Sequence, residues 1–456
     1  PYANLDDDAY LELAVGRLPV GDLVEGSAMI ATTVAYPRLQ GDWVDRATVI
    51  QPGFHELEGA LPWVLPNAEA LIRGIDGDLT AAGVETEGFY RIDVDIDEVL
   101  ASLSHSAWIA YFNHSGPNAW GIHPGMSIVT GPARRSQDRS LPRLEGAPIA
   151  FGGGCSSAAL DLGQPAGSSF ADRFFQLGAV AYLGNTRVAY ARSEHLVQLF
   201  FARLASGEAT LGEAYRDSRN YLAHLLEGGH VLGPLDHGIE RGVRDFLWAQ
   251  HRILNLFGDP ALVPRVPAGA RPAIDVDLEP DAEPGRMRLT VTRRGEVRSD
   301  LVQVMPASGQ GTPREYAVRA GPGMTSSHLP HHFIDEQGLG PVRRIPEVVP
   351  GAWVDVELPA GTLDVAMTLV EGPSWADRGF GVQAGPRGEP RLQAYVPLVR
   401  STLEGDVVEI ADRVVFELEP VRSASGDVAQ RLEARVRAQT PWSAPPEGEA
   451  RISAEA

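Results

Sequence analysis

Residues 1 to about 265 alternate short, continuous apolar runs with stretches of helical periodicity, and this alternation constrains the fold more than any other feature. Continuous apolar runs occupy residues 107–112, 147–151 and 179–183, VDRATVIQP (44–52) is a further candidate for a buried strand, and helical patterns occupy residues 95–105, 169–177, 193–204 and 211–226. Uninterrupted apolar runs of this length are typical of strands buried on both faces. Strands that alternate with helices predict βαβ units and a mainly parallel sheet flanked by helices.

Beyond residue 266 the pattern changes. A segment rich in Pro, Ala and acidic residues (PAGARPAIDVDLEPDAEPG) leads into short stretches of period-two alternation, such as MRLTVTRR and WVDVELPAG, separated by turn residues. Many short strands at this spacing are typical of a β-sandwich. We therefore predict an α/β domain over 1–265, an all-β sandwich domain over 266–440 and a disordered, Pro-rich tail over 441–456.

Charge and cysteine content exclude several classes of protein. The chain has 39 basic and 60 acidic side chains, a net charge of −21, which argues against a nucleic-acid partner or an anionic membrane surface. A single Cys excludes an intramolecular disulfide and a four-cysteine zinc site. No apolar run reaches about 18 residues, so we expect no membrane span. We predict no metal site and no cofactor, with a structural Ca²⁺ ion as the exception left open.

Two residues follow buried strands and carry reactive side chains. Cys155 comes after the run 147–151 and three glycines, and His114 comes after the run 107–112. Open α/β sheets place their ligand crevice at the carboxyl ends of parallel strands, so the two side chains are expected to share one crevice if their strands are neighbours in the sheet. There a thiol and an imidazole can act as nucleophile and proton-transfer partner. The alternatives are a buried, unreactive thiol and a structural histidine.

Four stretches from residue 111 onward, and a fifth upstream at LDDDAYLELAVGRLPV (5–20), carry a family resemblance. YFNHSGPNAWG (111–121) and IAFGGGCSSAALD (149–161) resemble the His and Cys blocks of the gingipain-type cysteine peptidases, in the caspase–legumain clan. GAVAYLGNTRVAY (178–190) is similar to the wall of that family's specificity pocket, and LNLFGDPAL (254–262) to its closing motif. The resemblance extends over about residues 5–265. It implies a caspase-like sheet for the first domain.

The resemblance also implies a site and a mechanism. Cys155 would form an acyl-enzyme, His114 would transfer the proton, and the backbone N–H groups of Cys155 and Ser115 would hold the oxyanion. The family has Gly where this chain has Ser115. Glu56 and Glu58 lie in the region from which the family supplies an acid that orients the His, and we prefer Glu56 for this role. The implied substrate-binding residues are Trp120, Gly154, Asn185, Arg187 and Tyr190.

The activity implied is that of an endopeptidase acting on protein or peptide substrates. Two alternatives stay open: a transpeptidase with the same pair of residues, and an inactive scaffold or binding protein. The family's peptidase domain usually begins with an earlier subdomain, so we expect a processed precursor whose N-terminal part is either cleaved away or left as a separate fragment that stays bound. The sequence itself does not fix the compartment, and the resemblance implies a secreted or cell-envelope protein.

Overall fold

The computed structural model describes residues 11, 13–52, 64–90, 94–123, 126–162, 169–189, 194–205, 207, 209–227, 252–267, 274–283, 285–293, 298–304, 314–321, 324–327, 351–373, 380–384, 390–401 and 407–421. The helices are α1 Leu23–Ala35, α2 Val64–Ala81, α3 Ile96–Ser104, α4 Phe170–Gln176, α5 Glu194–Ala205 and α6 Leu211–Glu227, with 3₁₀ turns at Tyr36–Arg38 and Asp42–Asp45. The strands of the first part are β1 Arg46–Ile50, β2 Glu85–Phe89, β3 Trp108–Tyr111, β4 Ser115–Gly116, β5 Ala119–His123, β6 Met126–Val129, β7 Arg139–Ser140, β8 Ile149–Gly152, β9 Ala181–Asn185 and β10 Leu254–Gly258.

A six-stranded sheet in the order β10-β9-β8-β3-β1-β2 forms the centre of the first part. The five strands from β9 to β2 are parallel, and β10 pairs antiparallel with β9 at one edge. Every residue of β3, β8 and β9 is buried. Parallel strands joined through helices are covered on both faces, which is why their sequences are uninterrupted apolar runs.

Helices cover the two faces of this sheet and enclose two apolar clusters. Alternate residues of β3 enter different clusters: Trp108 and Ala110 pack with α2, α5 and α6, whereas Ile109 and Tyr111 pack with α3 and α4. This alternation is the period-two geometry of a strand with both faces buried. The predicted α/β class with a mainly parallel sheet and flanking helices is confirmed.

A small four-stranded sheet, β4-β5-β6-β7, lies between β3 and β8 in the chain. The sequence did not predict these strands, because they are only two to five residues long and carry no clear alternation. β4 is the edge strand and begins directly after His114. The insertion therefore helps to position one of the two residues that the sequence singles out.

The second part is built from strands only, within the described residues. They are β11 Ile274–Pro280, β12 Met287–Arg293, β13 Arg298–Val304, β14 Arg314–Gly321, β15 Met324–Ser327, β16 Gly351–Glu357, β17 Asp364–Glu371, β18 Phe380–Ala384, β19 Pro390–Pro397, β20 Val399–Ser401, β21 Val407–Ile410 and β22 Arg413–Val421.

Two sheets of this part, β11-β12-β22-β17 and β16-β19-β18, contribute to one apolar core. Leu289 and Phe416 come from the first sheet, and Val354 and Leu392 come from the second. A core shared by two sheets is the arrangement of a sandwich, so the predicted all-β second part is confirmed. The domain limits at 266 and 440 stay predictions, and the predicted tail over 441–456 lies outside the described residues. No helix in the described part of the chain is long and apolar enough to cross a membrane.

Candidate active site

The sheet brings the two candidate catalytic residues to neighbouring strand ends. β3 and β8 are adjacent and parallel, and their register pairs Tyr111 with Gly152. His114 follows Tyr111 by three residues, and Cys155 follows Gly152 by three residues. Because both strands end at the same edge of the sheet, the loops that carry the thiol and the imidazole begin side by side.

Direct contacts join these two loops. The backbone N–H of Gly153 donates to the carbonyl oxygen of Tyr111 over 2.7 Å. The hydroxyl of Ser115 donates to the carbonyl oxygen of Cys155 over 2.8 Å. Gly154 is buried between them: a Cβ there would lie 2.6 Å from the Cβ of Ser115 and closer still to the carbonyl oxygen of Asn113. The chain approaches itself here more closely than any residue with a side chain allows.

Hydrogen bonds hold the backbone of His114 from both sides. Its N–H donates to the side-chain oxygen of Asn113 over 2.8 Å. Its carbonyl oxygen accepts from the hydroxyl of Tyr111 over 2.6 Å and from the N–H of Gly121 over 2.9 Å. Burial raises the pKa of Tyr111 well above its ordinary value of 10.0, with a smaller contribution from Tyr182, so the phenol stays protonated and remains a donor. His114 is therefore fixed through its own backbone.

The protonation state of the His114 imidazole is that of a general base. His114 as a residue is exposed, yet desolvation of its ring by neighbouring atoms lowers its pKa below the ordinary value of 6.5. A lowered pKa leaves the ring neutral at neutral pH, with one nitrogen able to accept a proton.

A stack of aromatic rings supports the His114 loop from beneath. Trp120 stacks on Tyr111 with ring centroids 4.2 Å apart and on Phe170 with centroids 4.6 Å apart. All three side chains are fully buried. The hydroxyl of Tyr111 therefore belongs to a rigid, packed ring.

The register of the β4–β5 hairpin determines the direction of the Ser115 backbone. Gly121 donates to the carbonyl of His114, and the next pair along the ladder is Ser115 with Trp120. Hydrogen-bonded and non-hydrogen-bonded pairs alternate in an antiparallel ladder, so the N–H of Ser115 points away from β5. Because β4 is the edge strand and the Cys155 loop adjoins Ser115, this donor is directed away from the small sheet.

The Cys155 loop has a strained backbone that is held on its other side by the last residue of β9 and by the segment that follows it. Ser156 has a φ of +52°, a left-handed conformation that costs a residue with a side chain about 1–3 kcal/mol. Its N–H donates to the carbonyl of Arg187 over 2.8 Å, and the amide of Asn185 donates to the carbonyl of Gly154 over 3.2 Å. The thiol is half-buried, and its sulfur lies 3.7 Å from the carbonyl oxygen of Ala189.

The sequence model of peptidase family C25 matches residues 1–265, more than half of the chain. The protein belongs to peptidase family C25. Membership supports a cysteine peptidase as its class of activity.

Solved structures give fainter likenesses. The crystal structure of the Arg-specific cysteine proteinase gingipain R (RgpB) is 15% identical, with a TM-score of 0.40, over 70% of this chain and 74% of that chain. The complex of RgpB pro- and mature domains from Porphyromonas gingivalis is 14% identical, with a TM-score of 0.42, over 70% of this chain and 76% of that chain. The separase–securin complex of Saccharomyces cerevisiae is 14% identical, with a TM-score of 0.31, over 54% of this chain and 14% of that chain. At TM-scores below 0.5 these likenesses carry no argument. No curated protein matches the sequence.

The substrate-binding residues implied by the family resemblance differ in how far they are exposed to solvent and in what they contact. Gly154 lies in the contact between the two loops, as described above. Trp120 is fully buried in the aromatic stack, so it cannot contact a substrate unless the core rearranges. Asn185 is also buried, and its amide supports Gly154 from within the protein. Glu56 and Tyr190 lie outside the described residues.

Arg187 lies on the loop that adjoins the thiol, but its guanidinium is paired with the carboxylate of Asp161. It forms a bidentate ion pair with Asp161, with both N–O distances 3.0 Å, and both side chains are more than half exposed. An exposed pair of this kind is weak and exchangeable. Arg187 is thus accessible to a substrate, with Asp161 as a competitor for its charge.

Three functional contacts of the site were missed by sequence reasoning: those of the Tyr111 hydroxyl, the Asn113 amide and the Ser115 hydroxyl. Tyr111 is the residue of β3 whose hydroxyl reaches the His114 loop. A Tyr at the end of an apolar run was the one sequence signal for this contact. No signal in the sequence indicates the other two contacts. In the described residues no cluster of three or more His, Cys, Asp or Glu could hold a metal ion.

Proposed function

We propose that this member of family C25 is a cysteine endopeptidase in which Cys155 is the nucleophile and His114 is the proton-transfer partner. One observation carries the proposal: the 2.8 Å hydrogen bond from the Ser115 hydroxyl to the Cys155 carbonyl joins the loops that bear the two reactive side chains. Two loops in contact at the ends of adjacent parallel strands form the crevice in which such a pair can work.

The reaction begins with transfer of the thiol proton of Cys155 to the neutral imidazole of His114. The lowered pKa of His114 favours this starting state at neutral pH. The thiolate attacks the carbonyl carbon of the scissile bond, and the carbonyl oxygen takes the negative charge. When the tetrahedral intermediate collapses, the carbon–nitrogen bond breaks, and the imidazolium gives its proton to the leaving amine. A water molecule, deprotonated by His114, then attacks the acyl-enzyme and releases the acid with regeneration of the thiol.

The oxyanion in this scheme accepts hydrogen bonds from the backbone N–H groups of Cys155 and Ser115. The alternation of the β4–β5 ladder supports this role, because it leaves the N–H of Ser115 directed away from β5. Donors already in position when the charge develops lower the barrier without reorganisation. Replacement of the family's Gly by Ser115 retains this backbone donor.

Glu56 remains our proposal for the acid that orients the imidazole. The same family resemblance leads us to propose a secreted or cell-envelope protein that keeps a cleaved N-terminal fragment bound. Fractionation of expressing cells and pull-down of the fragment from a Cys155-containing precursor test these two points.

A peptide-library cleavage assay tests the activity. Wild-type protein is compared with the variants Cys155→Ala and His114→Ala, each checked for folding by thermal denaturation. We expect cleavage by the wild type and a loss of at least about 1,000-fold in kcat for each variant, since the thiol and the base act as one unit. Equal cleavage by wild type and Cys155→Ala would overturn the proposal. An added amine that is incorporated into the product would identify transpeptidation in place of hydrolysis.

A further inference from the structure

The side chain of Ser115 forms a hydrogen bond that is separate from the proposed role of its backbone N–H in the oxyanion hole. Its hydroxyl donates to the carbonyl oxygen of Cys155, 40 residues further along the chain.

Three of the hydrogen bonds that fasten the Cys155 loop lie around its strained residue Ser156. Two of them lead to the end of β9 and the segment after it: the N–H of Ser156 donates to the carbonyl of Arg187, and the N–H of Ala158 donates to the carbonyl of Asn185. The third is the bond from Ser115, and this one leads to the loop that carries His114. The bond from Gly153 to Tyr111 joins the two loops where they leave the sheet, and the Ser115 bond joins them at Cys155 itself, next to His114.

The neighbouring glycine depends on the same side chain. A Cβ at Gly154 would overlap the Ser115 hydroxyl and lie 2.6 Å from its Cβ. Ser115 thus fills the space beside Gly154, so the two loops pack against each other and cannot close further.

We infer that the Ser115 hydroxyl is a positioning group that holds the Cys155 loop against the His114 loop. It makes no contact with substrate in this scheme. Its effect on turnover rests on the proposed function, whereas its effect on the loop does not. Loss of one uncharged hydrogen bond of this kind corresponds to a fall of about 2- to 10-fold in kcat. The expected change in KM is smaller, since the substrate-binding surface is unaltered.

Three substitutions and one control test the inference. Ser115→Ala and Ser115→Gly remove the hydroxyl and keep the backbone donor, and Ser115→Thr keeps the hydroxyl. The matched control is Ser140→Ala, because Ser140 is exposed on β7 and its hydroxyl also donates to a backbone carbonyl, that of Gly131, over 2.9 Å. Each variant is checked for folding by thermal denaturation.

The first readout is amide hydrogen exchange over residues 153–158, which requires no enzymatic activity. We expect faster exchange in Ser115→Ala and Ser115→Gly, and rates close to wild type in Ser115→Thr and Ser140→Ala. The second readout is the separate measurement of kcat and KM, in which kcat should fall in the first two variants and recover in Ser115→Thr. Unchanged exchange in Ser115→Ala, or a Ser115→Thr variant as impaired as Ser115→Ala, would overturn the inference. Should the wild type cleave no peptide, the proposed function fails and the exchange data still decide the role of Ser115.

Discussion

Gly154→Ala is the substitution that tests the geometry of the site most directly. The new methyl group would lie 2.6 Å from the Cβ of Ser115, whereas ordinary van der Waals contact begins at 3.4 Å. The loops must therefore separate by roughly 0.8 Å or more, since carbon atoms at shorter distances repel each other. Gly154 cannot move away freely, because its carbonyl is bound by Asn185 and the next carbonyl is bound by Ser115.

The structure gives the size of the expected effect. A displacement of about 1 Å between reacting groups costs on the order of 100-fold in rate. This corresponds to about 2.7 kcal/mol of transition-state stabilisation. Overpacking of a buried position is expected to lower the free energy of unfolding by about 1–3 kcal/mol as well. The fold should survive a loss of this size, because the sheet itself is not altered.

Gly116→Ala is the matched control. Gly116 lies in β4 beside Ser115, and a Cβ there meets no atom within 4 Å. The assay measures kcat on the best library peptide, with active-site titration of the thiol and urea denaturation for each variant. A Gly154→Ala variant with the kcat of the wild type, or an equal loss in Gly116→Ala, would refute the reasoning. In the double variant Gly154→Ala with Ser115→Gly, part of the clash is removed, so a partial recovery relative to Gly154→Ala is expected.

Three further substitutions test separate parts of the site. Tyr111→Phe retains the aromatic stack but loses the hydrogen bonds from the hydroxyl to the carbonyls of His114 and Gly121. Urea denaturation should therefore show a loss of about 0.5–1.5 kcal/mol in the free energy of unfolding, and kcat should fall. An unchanged free energy of unfolding would contradict the assigned contacts. His114→Gln should become more stable relative to wild type as pH falls below the ordinary His pKa of 6.5, because the lowered pKa of His114 makes the folded protein bind this proton more weakly than the unfolded chain does. Melting temperatures of both proteins between about pH 7.5 and 5 measure the trend, and a difference in melting temperature that stays constant with pH would contradict it. Arg187→Met should change the free energy of unfolding by less than about 1 kcal/mol, because the ion pair with Asp161 is exposed. If Arg187 binds substrate, peptide-library profiling should also show a weaker preference for acidic residues before the scissile bond, and an unchanged profile would exclude that role.

Some of this site could be read from the sequence because burial leaves a local pattern. The runs that form β3 and β8 contain only residues suited to a strand covered on both faces, and His114 and Cys155 each follow three residues after the strand ends. The strand order then brings the two loops together.

The rest of the site could not be predicted, because its interactions link residues far apart in the chain. Trp120 lies in a short, unpatterned strand, and its full burial depends on ring contacts with Tyr111, Phe170 and Phe174, which come from other elements. Asn185 looks like a residue at a pocket edge, but its amide is used by Gly154.

The sequence by itself determined the α/β class of the first part, the β-rich second part, and the pair of strands from which a thiol and an imidazole emerge. Periodicity reports whether a residue is buried, and this is enough to place elements. The tertiary structure alone decided which polar groups meet: Ser115 with Cys155, Tyr111 with His114, and Arg187 with Asp161. A hydrogen bond depends on distances of a few tenths of an ångström between separate loops, and no local pattern in the chain encodes them.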